Sequence, residues 1–190
     1  MSWFSHTREH GFALFLGYGV LLQGGALTLC GRGEAAVERI HEGIGAMQAT
    51  GIRRSDPMIL GVLAEALALR GDAAEGMRTL AAAFATAEAS GAHWADAELY
   101  RLRGDLLGRL PSNDWTEVET CFRTALSVAR EQGSRGLELR AAVSLASLLN
   151  GQGRRDEARD LLVPVYGSFT EGFDTPDLQE AKALLDELGV

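Results

Sequence analysis

The sequence repeats itself with a period of about 40 residues, and this period is the strongest constraint on its fold. The similar tetrads EHGF, ATGI, ASGA, EQGS and TEGF place glycines at positions 11, 51, 91, 133 and 172. These glycines are 40, 40, 42 and 39 residues apart. A second break, rich in Gly, Asp, Asn or Pro, follows several of them at roughly half the period. Such regularity indicates a repeat protein, in which each unit buries its apolar face only against its neighbours.

Both segments of each repeat have helical periodicity. The third repeat carries one apolar helix face with the spacing i, i+3, i+4, i+7 and i+11: Val118, Cys121, Phe122, Ala125 and Ala129. We find no alternation with a period of two, which would indicate a strand. The sequence therefore predicts an all-α protein of nine helices, over residues 12–30, 34–49, 55–70, 73–89, 92–109, 114–131, 135–150, 155–171 and 175–188.

The breaks carry residues that begin and end helices. Asp72 with Glu75, and Asp114 with Glu117, fit an N-cap followed three residues later by an acid that reaches back to the cap. Asp56 precedes a proline, which is favoured at the first helical position. Glycines in the breaks supply the left-handed residue that closes a helix.

The stretch TEGFDTPDL, residues 170–178, contains acids and hydroxyls that could suggest a catalytic site. We interpret it as a turn in which Gly172 ends one helix, Asp174 or Thr175 caps the next, and Pro176 lies in its first turn. A catalytic pair of acids would need an opposing cleft, and the sequence identifies none.

Consecutive helices joined by short turns pack antiparallel, and successive pairs stack on one another. We therefore expect one domain, 1–190, folded as a right-handed α-solenoid with a concave groove. The predicted repeats are 12–51, 52–91, 92–133 and 134–172, followed by a capping helix over 175–188. Close approach between helices is expected at their small residues: Gly17, Gly19, Gly24, Gly25, Gly61, Gly104 and Gly108.

Composition and charge exclude some partners. The chain of 190 residues has a formal net charge of −8, whereas binding to a phosphate backbone needs clustered Lys and Arg. We therefore expect no nucleic-acid partner. Cys30 and Cys121 lie beside apolar residues and lack a further ligand at metal-binding spacing, so we expect both to be buried and reduced, as in a cytoplasmic protein.

The segment from Gly11 to Gly31 contains no charged residue. It is long enough to span a bilayer, and it could also be the apolar region of a signal peptide. Its six glycines and Gln23 lower its hydrophobicity, and Leu29 is large at a position where lipoprotein processing needs a small residue. We therefore favour a buried helix and expect no membrane partner.

The helix-pair pattern, with Gly104 in one helix and Val118, Phe122 and Ala125 in the next, resembles the tetratricopeptide repeat. It departs from that repeat in its period, near 40 instead of 34, and in lacking the usual closing proline. The segments 93–107, 121–149 and 152–188 resemble the C-terminal repeats of large bacterial signalling proteins. Those proteins join a class III adenylate or guanylate cyclase domain, a signal-transducing ATPase domain and a helical-repeat tail. The resemblance implies a regulatory tail, because the sequence contains neither a GxxxxGK[ST] loop nor a strand-borne pair of metal-binding acids.

The strongest indication of an enzyme is HTREH, residues 6–10, which fits the H-x-x-E-H pattern of some zinc peptidases. It lies at the extreme N-terminus, directly before the repeat glycine Gly11, and no further ligand stands out. A zinc peptidase is therefore a remote alternative, and we expect a non-catalytic protein without metal or cofactor.

Partner-binding residues are expected on the first helix of each pair, which lines the groove of such solenoids. Aromatic and arginine side chains carry much of the contact energy at interfaces. The candidates are Trp94, Glu98, Tyr100, Arg101, Arg135, Glu138 and Arg140. The alternative is that the aromatic residues belong to the core and the charges form a solvated face.

The resulting hypothesis is a protein–protein interaction or regulatory module that binds a peptide or a neighbouring domain in its groove. A sensor that binds a small ligand in the same groove is the main alternative. Exposed groove faces could also bring two copies together as a homodimer.

Overall fold

The computed structural model describes residues 13–50, 56–111 and 114–190. These ranges contain nine α-helices and no strand, which confirms the predicted all-α fold. The helices are α1 (Ala13–Leu29), α2 (Gly33–Ala49), α3 (Pro57–Leu69), α4 (Ala73–Ser90), α5 (Asp96–Gly108), α6 (Trp115–Glu131), α7 (Arg135–Gly151), α8 (Arg155–Tyr166) and α9 (Pro176–Leu188). A short 3₁₀ helix, His93–Ala95, precedes α5.

Two predicted helix boundaries are wrong. The helix expected over 92–109 starts with the 3₁₀ turn and is α-helical only from Asp96. The helix expected over 155–171 ends at Tyr166, and Gly167, a poor helix former, occupies its C-cap position. Pro164, in the last turn, has no N–H to donate to the carbonyl four residues earlier, which weakens that turn. Phe169 nevertheless packs against the core from the following turn.

Glycines close helices at the repeat breaks, as predicted. Gly91 and Gly133 have φ angles of +68° and +65°, a region in which residues with a Cβ are strained. The next residue after each glycine donates its amide back across the turn, from Ala92 to the Ala87 carbonyl at 3.1 Å and from Ser134 to the Ala129 carbonyl at 2.9 Å. These bonds satisfy carbonyls that would otherwise lack a partner at the helix end.

The predicted N-caps are only partly correct. The Asp56 carboxylate accepts from the Met58 amide at 2.8 Å, and the Asp114 carboxylate accepts from the Thr116 amide at 2.9 Å. The predicted side-chain cap at Asp72 is wrong. Its carboxylate instead accepts two hydrogen bonds from the Arg70 guanidinium, at 2.9 and 2.6 Å, because a charged donor two residues away binds it more strongly than an amide.

The stretch at residues 170–178 is a turn, as interpreted, but Gly172 does not end a helix. Gly172 lies between α8 and α9 with a φ of +78°. Thr175 occupies the N-cap position of α9, and its amide and hydroxyl both donate to the Gly172 carbonyl, at 2.9 and 2.7 Å. Pro176 begins α9.

The described residues form two compact units, one within residues 1–95 and one within 96–190. In the first, α1 and α3 pack on α2, and α4 packs on α3. In the second, α6 and α7 pack on α5 and on each other, and α8 and α9 pack on α7 and on each other. Each unit has its own apolar core, which includes Ile40 and Leu67 in the first and Leu145 and Leu162 in the second. The expectation of one domain, 1–190, with four repeats stays a prediction.

Glycines allow the antiparallel helices of a pair to approach closely. A Cβ at Gly17 would lie 2.8 Å from Met47 Cγ, and one at Gly24 would lie 2.5 Å from Ile40 Cγ1. These contacts confirm the predictions for Gly17 and Gly24. The prediction is wrong for Gly25, where a Cβ would meet nothing within 4 Å.

The same close approach occurs in the second unit at Gly104, as predicted, where a Cβ would lie 2.5 Å from Phe122 Cε1. At Gly108 the corresponding distance to the Trp115 ring is 3.6 Å, an ordinary contact. Gly19 and Gly61 are buried, and their close approach stays a prediction. Sequence reasoning missed Gly33 and Gly43, whose Cβ atoms would also overlap neighbouring atoms.

Replacing Gly104 with Ala is expected to lower the free energy of unfolding by about 1–3 kcal/mol, because the new methyl group would overlap the Phe122 ring. Urea unfolding followed by circular dichroism measures this change. The matched control is Gly136→Ala on α7, where a Cβ would meet nothing within 4 Å. If Gly104→Ala changes the free energy of unfolding no more than this control does, the proposed overlap is wrong. Adding Phe122→Leu to the Gly104→Ala variant should recover part of the loss.

The two cysteines differ in exposure. Cys121 is buried, as expected, and burial raises the pKa of its thiol. The expectation that Cys30 is buried is wrong, because it lies at the turn after α1 and is exposed. Its apolar neighbours in the sequence did not predict the direction in which its side chain points.

The uncharged segment after Gly11 forms α1, a helix of 17 residues. No helix within the described ranges is long and apolar enough to cross a membrane. The expectation that this helix is buried is only half correct. Val20 and Leu21 are buried, whereas Leu22 and Leu29 are exposed.

Candidate functional site

Three of the residues predicted to bind a partner meet in one cluster of charges on α5 and α7. The Arg101 guanidinium donates two hydrogen bonds to the Glu98 carboxylate, at 3.0 and 2.7 Å. Arg140, on α7, lies with one terminal nitrogen 3.0 Å from the same carboxylate. Arg101 also bonds Asp105, which sequence reasoning missed. We call Glu98, Arg101, Asp105 and Arg140 the ion cluster.

The helical spacing of α5 explains the first part of this arrangement. Glu98, Arg101 and Asp105 are three and four residues apart, so they share one side of the helix. The fourth member depends on packing, since Arg140 reaches Glu98 only because α7 lies against α5. Asp105 could have been predicted from its spacing to Arg101, but Arg140 as the second partner of Glu98 could not.

Two members of the ion cluster are buried. The Glu98 and Arg101 side chains are only 4% and 8% exposed, whereas Arg140 is 29% exposed. Burial alone would raise the pKa of Glu98, but the hydrogen bonds from Arg101 and the charges of Arg101 and Arg140 outweigh it, so the pKa is lowered. Glu98 is therefore ionised at neutral pH, and its charge is compensated within the cluster.

The pKa of Asp105 is shifted in the opposite direction to that of Glu98. Burial raises its pKa above the ordinary value, and the nearby charge of Glu98 adds to that effect, although Arg101 and Arg109 oppose it. With two acids and two arginines, the ion cluster has no surplus charge. Arg140 and Asp105 are its partly exposed members.

The other predicted binding residues lie outside the ion cluster. Tyr100 is partly buried and packs against the core of the second unit. Glu138 accepts a hydrogen bond from Arg130 at 2.7 Å. Arg135 is exposed and donates to the Ser168 carbonyl at 3.4 Å. Trp94 belongs to the first unit and is 53% exposed.

A second polar site, not predicted from the sequence, lies beside α6. Glu119 is held between two arginines, Arg123 at 2.6 Å and Arg154 at 2.8 Å. The hydrogen bond from Arg154 is the largest of the effects that lower the pKa of Glu119. An open cleft of about 400 Å³ is lined here by Trp115, Thr116, Glu119, Thr120, Arg123 and Gln152. The cleft forms because the turn after α7 brings Gln152 beside α6, a contact between distant residues that no local pattern indicates.

The metal-binding hypothesis concerns HTREH, which lies outside the described residues. Within the described ranges, no group of three or more His, Cys, Asp or Glu side chains is arranged to hold a metal ion.

Two solved structures of tetratricopeptide-like repeats are similar to this chain over its full length. Both come from a Podosopora anserina protein described as a kinesin light chain. The first has a TM-score of 0.56 and 18% sequence identity, and the match covers 100% of this chain and 96% of that chain. The second, a single-residue variant, has the same TM-score and identity, and the match covers 95% of that chain.

These similarities establish a tetratricopeptide-like helical-repeat fold, as the sequence predicted. At 18% identity they concern the fold alone. No family model matches the sequence, and neither does any curated protein sequence.

Proposed function

We propose that this protein is a non-catalytic interaction module that binds a peptide or a neighbouring protein domain. The observation that carries the proposal is the tetratricopeptide-like fold, which matches solved repeat structures over 100% of the chain. Helical repeats build extended surfaces from side chains at equivalent positions, and such surfaces suit protein partners.

In this proposal the residues on α7 contact the partner directly. Arg135 is exposed and Arg140 is partly exposed, so their remaining N–H groups can donate to a carboxylate. Glu98 and Arg101 are too buried to touch a partner, and we assign them a positioning role, since Glu98 holds the Arg140 guanidinium at 3.0 Å. A peptide segment that carries an acidic side chain or a free C-terminus fits this chemistry.

Trp94 is a separate candidate contact on the first unit. Half of its large aromatic side chain is exposed, and tryptophan is among the residue types that contribute most to interfaces. We propose that it provides an apolar contact for the same class of partner.

The finer proposal is that the chain acts as the repeat tail of a cytoplasmic signalling protein with a cyclase or ATPase domain. Its support is the resemblance of the segments 93–107, 121–149 and 152–188 to such tails. Sequencing the flanking reading frames tests it, because a fused or adjacent cyclase or ATPase domain is expected there.

Replacing Arg140 with Ala is expected to weaken peptide binding at least about tenfold, which corresponds to about 1.4 kcal/mol. Peptides are first selected from a displayed random library on the immobilised protein, and isothermal titration calorimetry then measures the affinity of the best one. Arg140→Lys keeps the charge but loses the planar donor pair, so an intermediate affinity is expected.

The control for this experiment is Arg159→Ala on α8, which removes an exposed arginine paired with Asp156 and should leave the affinity unchanged. Circular dichroism confirms that each variant is folded. The proposal fails if no peptide is enriched, or if the selected peptides bind wild type and the Arg140 variants equally.

The cleft beside α6 supports a second candidate function, binding of a small ligand. Trp115 is half-exposed at this cleft, and an aromatic wall with polar neighbours is typical of ligand sites. A thermal-shift screen against metabolites tests this function, since a ligand that binds the folded state raises its melting temperature. Loss of that rise in Trp115→Ala would locate the ligand in the cleft.

Comparing the zinc content of wild type and His10→Ala tests the remote peptidase alternative.

A further inference from the structure

One side of α1 is apolar and exposed. Phe15, Tyr18, Leu22 and Leu29 are 52%, 46%, 75% and 81% exposed. Their spacing of three, four and seven residues places them on one side of the helix. We call these four residues the α1 stripe. It extends over about four helical turns, or roughly 21 Å at 1.5 Å per residue.

The α1 stripe is distinct from the side of α1 that packs within the first unit. Gly17, Leu21 and Gly24 contact α2, and Leu21 lies in the core. Three of the stripe residues are Phe or Leu, which are among the residue types most often buried, and the fourth is a tyrosine, which is intermediate. A contiguous apolar surface of this kind marks an interaction site.

Charge indicates what can cover the α1 stripe. The helix carries no charged residue along its whole length, so a partner surface must also be free of unpaired charge. The exposed side of α9 does not qualify, because it carries Glu180, Lys182, Asp186 and Glu187. Head-to-tail stacking of α9 of one copy on α1 of the next would therefore bury charges. The α1 stripe of a second copy does qualify, since it is apolar and uncharged.

We propose that two copies of this protein form a homodimer through their α1 stripes. A contact between identical surfaces is symmetric about a twofold axis. Leu22 is the midpoint between Phe15 and Leu29 in the sequence, so the axis passes near Leu22 and the two copies of this residue pack together. This inference rests on α1 alone and does not depend on the proposed peptide binding.

Sedimentation equilibrium of the purified chain at a series of concentrations tests the proposal, with a reversible monomer–dimer equilibrium as the expected result. Leu22→Glu should raise the dimer dissociation constant at least about 100-fold, because two like charges would face each other across the axis. The matched control is Gln23→Glu, which adds the same charge to an exposed position about 100° away from the centre of the stripe. It should change the dissociation constant by less than about threefold.

Chemical cross-linking locates the twofold axis. In a Cys30→Ser background, Leu22→Cys is expected to give a covalent dimer with a short bis-maleimide linker, whereas Gln23→Cys should give much less. The proposal is overturned if the wild type is monomeric at every concentration, which would mean that another segment or partner covers the stripe. A dimer that Leu22→Glu leaves intact would also overturn it.

Discussion

Replacing Glu98 with Gln is expected to lower the free energy of unfolding by about 3–5 kcal/mol, the typical cost of removing one partner from a buried ion pair. Glu98 accepts from Arg101 at 2.7 and 3.0 Å and lies 3.0 Å from Arg140. Glutamine has nearly the same shape, so packing is preserved. The loss comes from removing the carboxylate charge that compensates the buried Arg101 guanidinium. Urea unfolding at neutral pH, followed by circular dichroism, measures it.

The effect of Glu98→Gln should depend on pH in a defined direction. The pKa of Glu98 in the folded protein lies below its ordinary value of 4.5. Its contribution to stability is therefore fully present above pH 4.5 and is lost as the pH falls through the lowered folded pKa. The difference between wild type and variant should be largest at neutral pH and should shrink in acid. A difference that is independent of pH would show that lost packing, not lost charge, causes the destabilisation.

The control for this prediction is an exposed ion pair in the same unit. Asp186 pairs with Lys182 on α9, and both side chains are more than half exposed. Because solvent screens such pairs, Asp186→Asn should change the free energy of unfolding by less than about 1 kcal/mol. If Glu98→Gln is as mild as Asp186→Asn, the ion cluster contributes little and its positioning role is also weakened.

Replacing Gly33 with Ala is expected to lower the free energy of unfolding by about 3 kcal/mol, near the upper end of the usual cost of overpacking. A Cβ at Gly33 would lie 2.6 Å from the Arg70 nitrogen, 2.8 Å from the Leu69 carbonyl carbon and 2.9 Å from the Ala66 carbonyl oxygen. All three are backbone atoms, which cannot rotate away as the end of a side chain can. The start of α2 would therefore have to move away from the end of α3. Urea unfolding measures the loss.

Gly45→Ala, in the same helix, is the matched control. A Cβ at Gly45 would meet nothing within 4 Å. The free energy of unfolding should therefore rise by up to about 1 kcal/mol, because the unfolded chain of the variant has lower entropy. Opposite signs for the two changes would identify the close approach of α2 and α3 as the cause. Equal effects at Gly33 and Gly45 would contradict it.

The order and type of the helices could be predicted because they depend on local interactions. Two of the repeat glycines, Gly91 and Gly133, end helices through a left-handed conformation that is a property of the residue itself. Apolar spacing such as that of Val118 and Phe122 correctly identified the buried side of α6. The end of α8 was missed although Gly167, directly after it, provided a local signal.

The candidate site could be predicted only in part. The Glu98–Arg101 pair follows from a spacing of three residues on one helix. The third partner, Arg140, is 39 residues from Arg101 in the chain and reaches Glu98 through helix packing. Nothing in the sequence near Glu98 indicates that its carboxylate is almost completely buried.

The sequence alone determined what neighbouring residues decide among themselves: an all-α chain, its period of about 40 residues, and where most helices begin and end. The tertiary structure decided which side of each helix is covered, since this depends on the position of a neighbour distant in the sequence. Gly24 lies against Ile40 while Gly25, the next residue, faces open space. Leu21 is buried while Leu22 is exposed, because a rotation of about 100° per residue turns adjacent side chains to different surroundings.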